Sequence, residues 1–158
     1  MEAPGTSSVR VGKIEGPSLA VMFDTIRAMV EDHPRGILDF ATIDEVMESI
    51  ANGSLQVWGA GNAVELKLLA LTTISMFKKK SALFVTWIGG TEFSTYGPQL
   101  LDVAEKWCAM NGVHEIQASA TPGWGRRLGK LGFVAPRVEL IKAISYVKTE
   151  DGQLARKN

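Results

Sequence analysis

The N-terminal third of the chain repeats apolar residues at spacings of three and four, which predicts two amphipathic helices. The first begins near Ser18, a suitable N-cap, and Pro34 is expected to end it. The second begins at Thr42, which can form a capping box with Glu45, and it ends at Asn52-Gly53, a pair suited to a left-handed exit. The apolar positions of these helices are Leu19, Met22, Phe23, Ile26, Met29 and Val30, then Ile43, Val46, Met47 and Ile50.

The middle of the chain changes to apolar runs and to alternation with period two, both typical of β-strands. A short strand is expected over 55–58, followed by a turn over 59–62. A long strand over 64–77 and the strongly β-prone run 82–88 flank a turn at 78–80, where three lysines follow one another. The sequence therefore predicts two antiparallel pairings in this region.

A helix-and-strand order follows the glycine pair Gly89-Gly90. A loop is predicted over 91–96, and a helix then opens with Gly97 before Pro98, since proline suits the first helical position. The helix ends at Asn111-Gly112, which again favours a left-handed exit.

The remaining pattern is a strand over 113–120, a short helix that starts at Pro122 and closes at Gly132, and one or two strands over 133–144. The residues that these patterns place in the core are Val85, Trp87, Leu101, Ala104, Trp107, Ile116 and Phe133. We predict three parts in the chain: an N-terminal arm or edge strand over 1–17, a single domain over 18–147, and a polar tail over 148–158.

Charge and cysteine usage narrow the class of protein. Seventeen basic and seventeen acidic residues balance, so no global field draws the chain to nucleic acid or to an anionic membrane. No apolar run reaches the roughly 18 residues of a membrane span. Cys108 is the only cysteine, which excludes an internal disulfide and predicts a buried thiol without metal ligands nearby. We expect a cytoplasmic protein without nucleic acid, membrane or metal partners.

Several short motifs resemble the GNAT acyltransferase superfamily. Lys130-Leu131-Gly132-Phe133 is similar to the segment that ends that family's fourth helix, and 138–142 resembles its closing strand. The stretch 100–113 resembles its third helix and the exit into its fifth strand. The resemblance implies an α/β (α+β) fold with a mixed, mostly antiparallel central sheet and helices on both faces.

The resemblance also implies a site for acetyl-CoA. In the family, the central strand pairs its backbone with the pantetheine arm, and a glycine-rich loop at a helix N-terminus holds the pyrophosphate. The matching positions here are Trp87, Ile88 and Gly89 on the strand, and Tyr96 and Gly97 in the loop.

Four residues depart from the family pattern. Glu92 puts a carboxylate where a basic or amide side chain is usual, and Thr95 replaces a glycine that lets backbone approach phosphate. Pro98 removes an N–H, and Leu128 stands where the family often has a tyrosine acid. No residue is therefore assigned as catalytic.

Other polar residues are weaker candidates for a catalytic or binding role. Glu65, Glu92, His114 and Glu115 are the candidates for a general base near the inferred cleft, although surface roles suit His114 better. The segment around Trp124 has Arg126 and Arg127, which could bind an anion or a partner or could form a solvated helix face.

Two functions of different classes follow. The first is a protein with the acetyltransferase fold and a degenerate acyl-CoA loop, with weak or no catalysis and a binding or structural role in an assembly, such as a tailed-phage virion or its assembly intermediates. In that case the protein needs no cofactor and has a protein partner. The alternative is an active N-acetyltransferase that moves an acetyl group from acetyl-CoA to a small amine.

Overall fold

A computed structural model describes residues 10–33, 36–62, 65–136 and 140–157. The chain divides into two compact units, one up to Thr121 and one from Pro122 onward. Within the described ranges, no helix has both the length and the apolar character that crossing a bilayer requires.

The N-terminal unit is built on a five-stranded sheet with the order β1-β2-β3-β4-β5. The first four strands pair antiparallel, and β4 and β5 pair parallel. This confirms the predicted mixed, mostly antiparallel sheet. The strands are β1 (Arg10–Ile14), β2 (Gln56–Gly61), β3 (Leu66–Met76), β4 (Ser81–Gly90) and β5 (Glu115–Ala118).

Helices cover both faces of this sheet, as predicted. On one face, α1 (Pro17–Asp32) and α2 (Ile43–Ala51) enclose a core with a short 3₁₀ helix, Ile37–Asp39, between them. On the other face, α3 (Phe93–Met110) packs against a second core. Because side chains alternate along a strand, β3 supplies both cores from adjacent positions. Leu69 and Leu71 belong to the first core, and Leu68 and Ala70 belong to the second.

The two N-terminal helices begin in different ways. The backbone amide of Glu45 donates to Thr42 Oγ1 at 3.2 Å and that of Thr42 to Glu45 Oε1 at 3.3 Å, which confirms the capping box. The predicted cap of α1 is wrong, because its N-cap is Gly16 and Ser18 lies inside the first turn. Pro17 starts this helix instead, since its fixed φ suits the first position. Pro34 lies outside the described residues.

Strand β2 runs through the residues predicted to form a turn. Gly59 and Gly61 pair with β1 and β3, so the expected turn over 59–61 is wrong. A Cβ on Gly59 would lie 2.6 Å from Ile14 Cδ1, and one on Gly61 would lie 2.2 Å from the Glu65 carbonyl oxygen. Close backbone packing within the sheet, rather than a turn, therefore requires Gly61, whereas a Cβ on Gly59 would meet only the ends of flexible side chains.

The C-terminal unit contains α4 (Pro122–Gly129) and a two-stranded hairpin of β6 (Tyr146–Lys148) and β7 (Leu154–Arg156). The expected strands over 133–144 are wrong for 133–136 and 140–144, while Val138 and Glu139 lie outside the described residues. The turn between the hairpin strands is closed by the side chain of Thr149. Thr149 Oγ1 donates to the Asp151 carboxylate, which lowers the pKa of Asp151, and accepts from the Gln153 amide at 3.1 Å.

The predicted core is correct only in part. Trp87 and Ala104 are buried, and so is Cys108, as predicted. Five other predicted core residues are half-buried instead, because they lie near the sheet edge, on the flank of α3 or in the C-terminal unit. They are Val85, Leu101, Trp107, Ile116 and Phe133.

Candidate functional site

Pairing between the two parallel strands of the sheet ends before β4 does. Ala82 to Val85 of β4 pair with Glu115 to Ala118 of β5. Beyond Val85, β4 continues for five residues to Gly90 with no β5 partner in the described part of the chain. This unpaired stretch of β4, which we call the cleft, has backbone groups that could pair with an extended ligand, as in β-augmentation.

A β-bulge lies where the cleft opens. Thr72 pairs with Val85 and Leu71 pairs with Trp87, so Thr86 is the extra residue of β4. The hydroxyl of Thr86 donates to the Leu71 carbonyl oxygen at 3.0 Å, which fixes the bulge. Bulges bend a strand and change the direction of the residues that follow. A polar residue in an otherwise apolar run was the only sequence signal for this feature.

The three predicted cofactor residues of β4 lie in the stretch that has no described β5 partner. Trp87 is 5% exposed, and its indole Nε1 donates to the His33 carbonyl oxygen at 2.9 Å, so its side chain belongs to the α1-side core. A Cβ on Gly89 would lie 2.2 Å from the Trp87 ring, which explains the glycine. Ile88 packs toward α3. Their contact with a cofactor stays a prediction.

Helix α3 begins four residues earlier than predicted. It starts at Phe93, so the expected loop over 91–96 is reduced to Thr91 and Glu92, and the predicted start at Gly97 is wrong. The Glu92 carbonyl accepts from the amides of Thr95 and Tyr96, both at 3.0 Å, which closes the first turn. Pro98 is accommodated inside the helix at the cost of one backbone hydrogen bond.

The two predicted loop residues therefore face the sheet. Tyr96 is 8% exposed and belongs to the α3-side core. Gly97 is buried, and a Cβ there would lie 3.1 Å from the Phe93 ring, so the glycine makes room for that ring. The helix end that could approach an anion lies at 92–94 rather than at Gly97.

A carboxylate occupies this helix end. Glu92 is the N-cap residue and has a left-handed backbone with φ of 57°. Its carboxylate lies 3.7 Å from Lys67 Nζ, and the same ammonium lies 2.8 Å from the Glu65 carboxylate. The hydrogen bond to Glu65 is the main reason that the pKa of Lys67 is raised. Two carboxylates and one ammonium leave one negative charge at the helix end.

Two of the candidate bases lie far from the cleft. The Ser81 amide donates to His114 Nδ1 at 3.0 Å, and Glu115 pairs with Lys80 at 3.2 Å. Both residues adjoin the first residues of β4, about 13–17 Å from Thr86, where the cleft begins, at roughly 3.3 Å per strand residue. Placing His114 and Glu115 near the cleft was wrong, because parallel pairing begins at their end. Glu65 and Glu92 remain near the helix end.

The C-terminal unit contains the other candidates. Leu128 is 7% exposed and has no group that could transfer a proton. Arg127 lies over the Trp124 ring, 5.0 Å from its centroid, and Arg126 is exposed. Among the described residues, no group of three or more His, Cys, Asp or Glu side chains could hold a metal ion.

The strand order, the cleft between β4 and β5, and the helix that follows β4 define the fold of the GNAT acetyltransferases. No protein-family model matches the sequence, and no curated protein matches it significantly. The likeness is therefore structural, and it establishes the fold.

Three solved structures illustrate the likeness. An aminoglycoside N-acetyltransferase in complex with CoA has a TM-score of 0.62 at 16% identity, over 90% of this chain and 99% of that one. A ribosomal-protein-alanine N-acetyltransferase from Brucella melitensis has a TM-score of 0.66 at 12% identity, over 87% of this chain and 99% of that one. An aminoglycoside acetyltransferase from an uncultured soil metagenomic sample, in complex with sisomicin, has a TM-score of 0.63 at 9% identity, over 86% of this chain and 96% of that one.

Proposed function

We propose that this GNAT-fold protein binds acyl-CoA weakly or not at all and acts as a binding or structural component of an assembly. The observation that carries the proposal is the Glu92 carboxylate at the N-cap of α3, in the place where the fold would receive a pyrophosphate. The setting that we propose is a tailed-phage virion or its assembly.

Electrostatics supports weak binding. Two unit charges about 4 Å apart repel by about 4 kcal/mol at an effective dielectric near 20. The Glu92 side chain is half exposed, and Lys67 lies 3.7 Å away, so solvent and this ammonium reduce the repulsion. A quarter of it, about 1 kcal/mol, still lowers affinity about fivefold. Lys67 cannot fully compensate, because it binds Glu65 more closely.

The backbone conformation at the start of α3 also weakens binding of a pyrophosphate. A phosphate cradle needs several N–H groups that converge on one point. Here the residues that would form the cradle are wound into the first turn of α3, and the amides of Thr95 and Tyr96 bond to the Glu92 carbonyl. These donors are therefore committed to the helix.

The cleft favours a second candidate, an active N-acetyltransferase that acts on a small amine. The separation of β4 from β5 and the bulge at Thr86 would let the backbone hold a pantetheine arm. With Leu128 in place of a proton donor, catalysis would depend on positioning and on backbone donors. The first candidate remains better supported, because a cleft alone provides no charge for the pyrophosphate.

Calorimetry with acetyl-CoA tests the proposal. We expect no measurable binding by the unmodified chain at micromolar concentrations, and stronger binding by the Glu92→Arg, Thr95→Gly double variant. Glu92→Gly is a cleaner variant, because it removes the carboxylate and suits the left-handed backbone. Glu92→Gln separates charge from backbone, and Glu105→Gln, an exposed residue farther along α3, is the matched control. Micromolar binding by the unmodified chain would return the enzyme to first place.

A further inference from the structure

The balanced charge of the chain is the sum of two segments with opposite net charges and two neutral segments. Segment 17–51, which contains α1, the 3₁₀ helix and α2 and is called the helical layer below, has seven Asp and Glu against two Arg, a net charge of −5. The C-terminal unit, 122–158, has eight Arg and Lys against three Asp and Glu, a net charge of +5. Basic and acidic residues cancel in each of the remaining segments, 1–16 and 52–121.

The cations of the C-terminal unit are exposed. All seven that the structure describes are solvent-exposed, and the ion pairs found among described residues all lie within the N-terminal unit. These seven are Arg126, Arg127, Lys130, Lys142, Lys148, Arg156 and Lys157. Their charge is thus available to a partner.

Exposed aliphatic side chains lie among these cations. Leu140 is 89% exposed, Ile141 is 85%, Ile144 is 70% and Leu154 is 75%. Exposed apolar groups rimmed by charge are typical of protein interaction surfaces. Aliphatic side chains of this kind suit a protein surface better than they suit nucleic acid, whose phosphates and bases call for cations and aromatic rings.

The helical layer has the complementary chemistry. Asp24 and Glu48 are exposed on α1 and α2, and neither forms an ion pair with a described residue. The same layer exposes Val21 by 84% and Phe40 by 91%. It therefore combines a net negative charge with apolar groups, as the C-terminal unit combines a net positive charge with apolar groups.

We propose that the C-terminal unit of one chain docks on the helical layer of a second chain. Complementary charge steers such an association and fixes its orientation, while the aliphatic side chains and Phe40 supply apolar burial. Because the two surfaces differ, the contact is head-to-tail, and it builds either a ring or an open filament. This inference does not depend on whether the chain binds acyl-CoA.

Sedimentation velocity on the full chain tests the proposal. We expect a concentration-dependent oligomer that dissociates as NaCl rises from about 50 mM to about 500 mM, because salt screens exposed charges. Lys142→Glu with Lys157→Glu should weaken self-association by about tenfold or more, and so should Asp24→Lys with Glu48→Lys. Circular dichroism on each variant checks that it folds.

Mixing the two charge-reversed variants gives the decisive result. Each variant alone has one nearly neutral surface, because the two reversals leave a net charge of +1 on the C-terminal unit of the first and −1 on the helical layer of the second. The helical layer of the first and the C-terminal unit of the second are unchanged, so these two surfaces still complement each other. We expect the mixture to associate although neither variant does so alone. A chain that is monomeric at all concentrations, or a mixture that stays monomeric, would overturn the proposal. So would salt-sensitive binding of the unmodified monomer to anionic vesicles or duplex DNA in place of self-association.

Discussion

Two tryptophans that pack against each other differ in how far they are buried. Trp58 is 1% exposed, and its Nε1 donates to Thr72 Oγ1 at 2.8 Å, which in turn donates to Gln56 Oε1 at 3.0 Å. Trp107 is half-buried and meets Trp58 edge-on, with 5.6 Å between ring centroids. Lys13 Nζ lies 5.2 Å from the centroid of the Trp107 ring, so a partly buried charged side chain borders this residue.

Replacing each tryptophan by alanine should therefore give different results. We expect Trp107→Ala to cost about 2 kcal/mol, since it removes an edge-to-face pair and partial burial. Trp58→Ala should cost about 3–5 kcal/mol, because it leaves a core cavity and removes the hydrogen bond that the Thr72 hydroxyl accepts. Urea denaturation measures both free energies of unfolding. Equal losses would show that Trp107 is as important to the core as Trp58.

At the scale of elements, the start of each helix shows what local sequence can and cannot predict. Thr42 and Glu45 cap α2 through bonds within four residues, so the sequence contains the whole motif. The start of α3 depends instead on Phe93 packing beside Gly97, and on a left-handed Glu92 held by the surrounding fold. A glycine before a proline resembled a helix start, but tertiary packing extended the helix by a turn.

The same contrast governs the candidate site. The order of strand, helix and strand was predicted, because each element has its own periodicity. The cleft was inferred only from the family resemblance, because its position depends on where β5 stops pairing with β4. The bulge at Thr86 was not predicted, because it depends on the register with β3. The glycines Gly59 and Gly61 were mistaken for a turn, since contacts across strands have no signal in local sequence.

Capping gives a matched test at this scale. Thr42→Ala should destabilise the chain by about 1 kcal/mol, because the first turn of α2 loses the hydroxyl that accepts from the Glu45 amide. Ser18→Ala should be nearly neutral, because Ser18 makes no cap bond in α1. Thermal and urea unfolding of both variants compare the two positions. A loss at Ser18 as large as that at Thr42 would contradict the observed helix start.

At the scale of the whole molecule, the sheet has two cores, and α3 seals one of them. Cys108 faces this core and is 5% exposed. Burial is the main reason that the pKa of its thiol is raised, and Glu105 adds to the shift. The folded chain therefore favours the protonated thiol.

Thiol labelling then reports opening of this core. We expect Cys108 to react with an aromatic disulfide reagent only at the rate of unfolding, because reaction needs an accessible thiolate. Stability should fall as pH rises above the ordinary thiol pKa, since the unfolded thiol ionises before the folded one. Rapid labelling of one equivalent under native conditions would contradict the buried position. Glu105→Gln should change the rate little, because burial is the larger cause.

The opposite net charges of the helical layer and the C-terminal unit have a practical consequence during purification. A chain whose isoelectric point is about 6.7 would be expected to pass through both kinds of ion-exchange resin near neutral pH. An ion-exchange resin responds to the charge of the surface that it contacts rather than to the net charge of the chain. Salt limits the range of its electrostatic attraction to about 10 Å at an ionic strength of about 0.1 M. The C-terminal unit provides a surface for a cation exchanger, and the helical layer provides one for an anion exchanger, so either resin can retain the chain at low salt.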